Sequence, residues 1–275
     1  MRVALFIPCY VDQLAPEVGI ATVELLEALG VDVVFPLAQA CCGQPLANLG
    51  CRDDARPLAL GLARAFAACE VDHVVAPSAS CAAMVRRHAP ALARDARERA
   101  LLDGLAERTR ELCEWLVDVL GADHVRGRYA ARVALHRGCH ALRELRLGPA
   151  SERMDAAPPV DRARALLERL DGLALAPQER ADECCGFGGT FAVAEDAVSA
   201  RMGSDRLADL GRTAPDVVAS TDASCLLHLR GLAARAAATR GAAPLAFAHV
   251  AEVLRDGVLG RAPRAARAAR SGEGA

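Results

Sequence analysis

A single cysteine, a vicinal pair and a second single cysteine occur twice along the chain in the same order, and this constrains the fold more than any other feature. Cys9 is followed after 31 residues by Cys41-Cys42 and after 38 more by Cys81. Cys139 is followed after 44 residues by Cys184-Cys185 and after 39 more by Cys225. Chance does not reproduce that pattern in register, so the chain reads as a duplication, and each copy has to bring four thiols together. Eight of the 11 cysteines are accounted for in this way.

The landmarks around the cysteines recur too. Val3-Ala4-Leu5-Phe6-Ile7-Pro8-Cys9 matches Val133-Ala134-Leu135-His136-Arg137-Gly138-Cys139, in each case a short β-branched and apolar run ending at a breaker and a cysteine. Leu25 to Gly30 and Leu166 to Gly172 read as helical segments stopped by glycine. The runs Val31 to Phe35 and Leu173 to Ala176 read as second strands leading to Cys41-Cys42-Gly43 and Cys184-Cys185-Gly186. Val74-Val75-Ala76 and Val217-Val218-Ala219 read as third strands, leading to Cys81 and Cys225 and then to helices. Alternating strands and helices with short loops predict an α/β protein of two pseudo-repeated halves. Each half is expected to be a small, mainly parallel sheet covered by helices, with the cysteine loops at the strand carboxyl ends, where sites form in such sheets. Leu101 to Gly121 reads as one helix closing the first half. The expected domains are 1–121 and 131–259, with 260–275 a disordered tail rich in alanine and arginine.

With 33 basic and 35 acidic side chains the net charge is −2, too little positive charge to track many phosphates, so nucleic acid is not an expected partner. No uncharged apolar run reaches transmembrane length and the start lacks a secretory pattern, so a cytoplasmic protein without a transmembrane segment is expected. In a reducing compartment cysteines serve metals or redox chemistry rather than structural disulfides. Four thiols per half, Cys9, Cys41, Cys42 and Cys81 in one and Cys139, Cys184, Cys185 and Cys225 in the other, suit an iron–sulfur cluster, with tetrahedral zinc in one or both halves as the alternative. Gly43 and Gly186, directly after each pair, would let backbone approach an inorganic core and aim amides at sulfur. Cys51, Cys69 and Cys113 have no repeated partner and read as small buried hydrophobes.

His136, His140 and His228 lie close in sequence to Cys139 or Cys225 and fit either donors to sulfur, ligands, or ordinary half-buried histidines. No phosphate-binding glycine loop, hydrolase elbow or base with a cationic clamp is evident, so no catalytic residue is assigned.

Cys-Cys-Gly-Gln-Pro at 41–45, Ala-Pro-Ser-Ala-Ser-Cys at 76–81 and Asp-Glu-Cys-Cys-Gly-Phe-Gly-Gly-Thr-Phe at 182–191 resemble the duplicated cysteine-rich (CCG) domain family of iron–sulfur proteins. Components of heterodisulfide reductase and of glycolate oxidase are related to it, and the likeness extends from Met1 to about Leu259. The resemblance is nearest to the iron–sulfur proteins of bacterial lactate oxidation. It implies an electron-transfer subunit, better described as a relay than as an enzyme with its own substrate site, holding one cluster per half, expected as [4Fe–4S]. Companion iron–sulfur and lactate utilization subunits would complete the oxidation of L-lactate to pyruvate. A relay for glycolate or a disulfide is the alternative, although the ferredoxin run of the glycolate oxidase iron–sulfur component is missing here. Where the five-cysteine version of the family has one further cysteine per half, this chain has Ser78 and Asp222. Four thiols then fit a single cluster rather than a five-ligand double one, with Asp222 an additional oxygen donor to consider.

Overall fold

A computed structural model describes residues 1–153, 159–241 and 245–263. Most of the tail expected at 260–275 therefore lies outside the described residues. The first sheet contains β1 (Arg2–Leu5), β2 (Asp32–Val34), β3 (His73–Ala76) and β4 (Thr109–Glu111) in the order β2-β1-β3-β4. The second contains β5 (Gly127–His136), β6 (Leu170–Leu175), β7 (Val217–Ser220) and β8 (Phe247–His249) in the order β6-β5-β7-β8. Every neighbouring pair is parallel. The expected α/β architecture of two repeated, helix-covered parallel sheets is what the chain adopts.

Parallel sheets are buried on both faces, which is why the central strands are nearly unbroken apolar runs. Val3, Ala4, Leu5, Val74, Val75, Ala76, Val133, Ala134, Val217, Val218 and Ala219 are all fully buried. In each sheet the chain turns outward in opposite directions from the two central strands, so the crevice at their carboxyl ends is a topological switch point. Cys9 and Cys81 follow β1 and β3, and Cys139 and Cys225 follow β5 and β7, the two strands at that point in each half.

The halves are interlocked. The helix Pro16–Ala28 of the first half packs on Val250–Val258, the last helix of the second; reciprocally, Leu112–Trp115 packs on Arg162–Leu167. The largest apolar cluster accordingly mixes Leu5, Leu25, Leu112 and Trp115 with Leu135, Leu166, Val217 and Leu254. Arg255 crosses from the last helix to Glu24 at 2.9 Å. Such reciprocity amounts to an approximate two-fold relation between the repeats.

Two readings of the sequence are corrected. The stretch 101–121 is not one helix, because Thr109–Glu111 forms β4 between the helix Ala96–Arg108 and the helix Leu112–Trp115, which runs on into a π-helical turn over Leu116–Gly121. Three residues carrying Thr and Glu have no strand periodicity to detect, yet Thr109 and Glu111 are buried by the sheet's edge. β8 is equally short and was equally invisible. Gly172 does not stop a helix either. The helix ends at Leu167, and Gly172 lies within β6 at φ +81°, against Ala130, where the β5–β6 register slips. It marks a bulge, where the left-handed backbone favours glycine. Gly30, at φ +75° just past the helix Pro16–Ala28, does serve as the expected stop.

Candidate metal centre

In the first half the three loop ends bring all four thiols together. Cys9 Sγ lies 3.7 Å from Cys41 Sγ, and Cys42 Sγ lies 3.6 Å from Cys81 Sγ. The Gly43 N–H donates to Cys41 Sγ at 3.4 Å. The second half repeats the amide contact, with Gly186 N–H donating to Cys184 Sγ at 3.4 Å, and Cys139, Cys185 and Cys225 line the same space as Cys184. None of the cysteines forms a disulfide among the described residues.

Hydrogen bonds decide which sulfur ionises first. Cys42, then Cys9, then the Gly43 amide hold Cys41 far below the ordinary thiol range; Cys139, then Cys185, then the Gly186 amide do the same for Cys184. The donating partners shift the other way. Cys9 is raised by its bond to Cys41 and by burial, and Cys42, Cys139 and Cys185 are raised for the same kind of reason. Cys41 in one half and Cys184 in the other are thus the thiols readiest to meet a cation.

The glycine after each pair has a different job from the one expected. Gly43 and Gly186 adopt φ of +85° and +83°. A Cβ on Gly43 would meet the Ala55 carbonyl at 2.9 Å, and one on Gly186 would meet the Ser199 carbonyl and Met202 Cβ at 2.7 Å. The close approach is therefore to the following helix, Arg52–Ala67 or Asp196–Gly211, rather than to the space between the sulfurs. The amide still points at sulfur, as anticipated.

All eight cysteines line one open cleft of about 870 Å³ between the halves. Reciprocal packing places them there. The helix Ala79–Ala83, which carries Cys81, abuts the π-helical turn His140–Glu144, and the helix Cys9–Leu14 abuts Ala223–Arg240, which carries Cys225. Tyr10, Gln44 and Phe187, to which the sequence reading gave no role, bridge the two sides together with His140. Gln44 follows the first pair motif and lies with Nε2 3.3 Å from His140 Nε2 of the other half. Phe187, its counterpart in the second motif, stands edge-on to Tyr10 of the first half, with ring centroids 5.8 Å apart. Comparison of the two copies position by position would have revealed both pairs: Tyr10 and His140 follow the first cysteine, and Gln44 and Phe187 follow the glycine.

Asp222 has a structural partner set. Its Oδ1 accepts from Ser78 Oγ and Ser80 Oγ, both at 2.8 Å, and the Ser80 amide reaches both carboxylate oxygens. Ser78 Oγ in turn accepts from the Cys81 amide at 3.3 Å, capping the helix Ala79–Ala83. The two positions that depart from the five-cysteine pattern therefore hold the halves together across the cleft floor.

The histidines separate. His140 Nδ1 lies 3.6 Å from Cys139 Sγ. His228 stands 3.5 Å from Ser199 Oγ and tilts against Phe187. His136 is fully buried, with one ring nitrogen within 4.8 Å of both Cys185 Sγ and Cys225 Sγ. Of the unrepeated cysteines, Cys113 is a buried core residue as expected, Cys69 is half-buried, and Cys51 is exposed because it sits just ahead of the helix Arg52–Ala67, off its apolar face.

Behind the cleft, Glu111 caps the helix Leu112–Trp115 by accepting from the Cys113 and Glu114 amides. Burial, with Glu114 and Asp222 nearby, raises its carboxyl from 4.5 to about 8. The neutral form is favoured in the fold, so this contribution to stability is complete below about pH 4.5 and is lost as pH rises through about 8. Within that window the loss approaches about 1.4 kcal/mol per pH unit. Glu111→Gln keeps the accepting oxygen and removes the titration. Urea unfolding of the two proteins should show the variant gaining on the wild type between about pH 5 and about pH 8; a gap that does not change with pH would refute the assignment.

The sequence profile of the cysteine-rich domain (CCG) matches residues 3–86 and 133–230, one match for each half and each containing a complete set of four thiols. The chain belongs to the CCG family. Within that family it is similar to Lactate utilization protein A of Geobacillus kaustophilus, with 39% identity over 92% of this chain and 98% of the relative. The proteins of the same name from an Exiguobacterium species and from Bacillus pumilus are each 36% identical, over 94% and 92% of this chain and 98% and 99% of their own lengths. In this CCG protein no described helix is long and apolar enough to cross a membrane.

The donor set can be tested against the groups it would hold. Four thiols from three loop ends, with an amide aimed at one sulfur of each set, fit Cys₄ ligation of an iron–sulfur cluster. The pair spacings of 3.6 and 3.7 Å also match the edge of a tetrahedron around one zinc at its usual sulfur distance, about 3.8 Å. The cleft into which the sulfurs open gives more room than one ion requires.

Proposed function

We propose that this chain is the iron–sulfur electron-transfer subunit of a multi-subunit system that oxidises L-lactate to pyruvate, holding one cluster, of the [4Fe–4S] type, in each half. The observation that carries the reading is the convergence of both cysteine quartets on one cleft. The relatives named Lactate utilization protein A support lactate as the substrate of the system. A cluster in each half would supply storage for one electron, and two together match the two electrons released from a 2-hydroxy acid.

The chain's own residues bind and shape rather than transform substrate. Cys9, Cys41, Cys42 and Cys81 hold one group, and Cys139, Cys184, Cys185 and Cys225 the other. Tyr10 with Phe187 and Gln44 with His140 close the space between them. Among the residues lining the cleft there is no arginine or lysine to clamp a carboxylate, and the Asp222 carboxylate is occupied by Ser78 and Ser80. Substrate binding and proton abstraction accordingly fall to companion subunits in the cytoplasm, iron–sulfur and lactate utilization proteins, with this chain receiving electrons.

Anaerobic purification followed by iron and labile-sulfide analysis and electron paramagnetic resonance tests the reading. Iron and sulfide in both halves, with no lactate turnover by the chain alone, is the expected result. The sulfur spacing favours one other occupant, zinc, and zinc without inorganic sulfide would replace the proposal with a non-redox role. Lactate turnover by the isolated chain would overturn the division of labour.

A further inference from the structure

The two halves differ where their sulfur sites meet the sheet. In the first, β1 leads to Phe6, which stands edge-on to Phe66 at 5.9 Å, and both share an apolar cluster with Cys42 and Cys81. The equivalent residue at the end of β5 is His136, and Arg206 of the helix Asp196–Gly211 takes the place of an aromatic partner. An apolar pair in one repeat is a polar pair in the other.

Arg206 determines the chemistry of His136. Its guanidinium is fully buried and donates from Nε to His136 Nδ1 at 3.1 Å, while its other nitrogens serve Asp209, the Arg180 carbonyl and Gln178. A guanidinium has no acceptor site, so Nδ1 must present its lone pair and the ring's proton resides on Nε2. Nε2 is buried and has no hydrogen-bond partner among the described residues. A buried N–H without an acceptor is costly, and the sulfurs of Cys185 and Cys225 stand beside the ring, each within 4.8 Å of one of its nitrogens. A protonated nitrogen offers no lone pair to a metal, so the same argument excludes His136 as a ligand in this tautomer.

We propose that His136 donates its Nε2 hydrogen to cysteine sulfur at the second half's cluster and thereby raises that cluster's reduction potential, an influence the first half lacks because Phe6 stands in its place. A hydrogen bond to sulfur stabilises the additional negative charge of the reduced form, and such bonds are among the protein's means of setting cluster potentials. The two sites would then hold electrons unequally although their thiols are equivalent. The inference rests on the iron–sulfur reading above and adds a positioning residue to it.

The test uses the full chain in two backgrounds, Cys42→Ser to leave the second half's cluster and Cys185→Ser to leave the first's, with redox titration followed by electron paramagnetic resonance. His136→Phe should lower the midpoint potential in the Cys42→Ser background and leave it unchanged in the Cys185→Ser background. His136→Gln, which keeps an acceptor for Arg206 and an N–H toward sulfur, should restore most of the potential. In protein carrying ¹⁵N-histidine and His140→Phe, which removes the other ring nitrogen beside a ligand sulfur, pulsed resonance should show a weak nitrogen coupling that His136→Gln removes. An unmoved midpoint in the His136→Phe protein, a shift in both backgrounds, or a strong coupling of the kind a metal-bound nitrogen gives would overturn the proposal. Purified wild-type protein without iron and labile sulfide would overturn the iron–sulfur reading itself, and that analysis precedes any variant.

Discussion

Serine at Cys42 or at Cys185 should remove half of the iron and labile sulfide from anaerobically purified protein and leave the resonance signal of the other half in place. Each quartet is drawn from its own sheet, and no sulfur of one half is hydrogen-bonded to a sulfur of the other among the described contacts. Cys42 and Cys185 are the deepest members of their sets. A hydroxyl there is a harder and much weaker iron ligand than a thiolate. Cys113→Ser is the control, since that thiol is buried in the shared core away from the cleft and should leave the metal content unchanged. Loss of both signals from one substitution would mean that the eight thiols hold a single common centre.

Arg206→Met should destabilise the protein by about 3–5 kcal/mol, the usual cost of breaking a buried ion pair from one side. The substitution removes the only charged partner of Asp209 among the described residues, a carboxylate 3% exposed and 2.9 Å from the guanidinium, and leaves it the Glu179 and Arg180 amides alone. It also leaves His136 Nδ1, the Arg180 carbonyl and Gln178 without their donor. Arg201→Met, on the same helix, breaks a pair whose arginine side chain is 78% exposed and should cost less than about 1 kcal/mol. Chemical denaturation of both variants makes the comparison, and equal losses would show that the buried network contributes nothing beyond an ordinary surface pair.

The duplication was legible because cysteine is rare and its spacing survives between copies, and the central strands β1, β3, β5 and β7 because buried parallel strands are continuous apolar runs. β4 and β8 were not, since Thr109–Glu111 and Phe247–His249 are too short to carry a period and owe their extended form to β3 and β7 alongside. His136 lay in the repeat alignment opposite Phe6, but the tautomer that gives it meaning depends on Arg206, 70 residues away. Asp222 shows the same limit. A carboxylate at a former cysteine position reads locally as a ligand, whereas its partners Ser78 and Ser80 come from the other half, 144 and 142 residues distant. Pattern identifies what each repeat contains; contacts between repeats arise only from how the two copies dock.

The exchange of outer helices between the repeats bears on what would happen to one repeat made by itself. Residues such as Leu25, Leu112 and Trp115 would lose the cover now provided by Leu254 and Leu166 and present a broad apolar face to water. Because that face is complementary to its own homologous counterpart, the shortest route to covering it is a second molecule of the same fragment, related by a true two-fold axis. Such a fragment should run in sedimentation as a homodimer with two identical thiol sets facing each other, a symmetric version of the arrangement that the full chain reaches within one polypeptide.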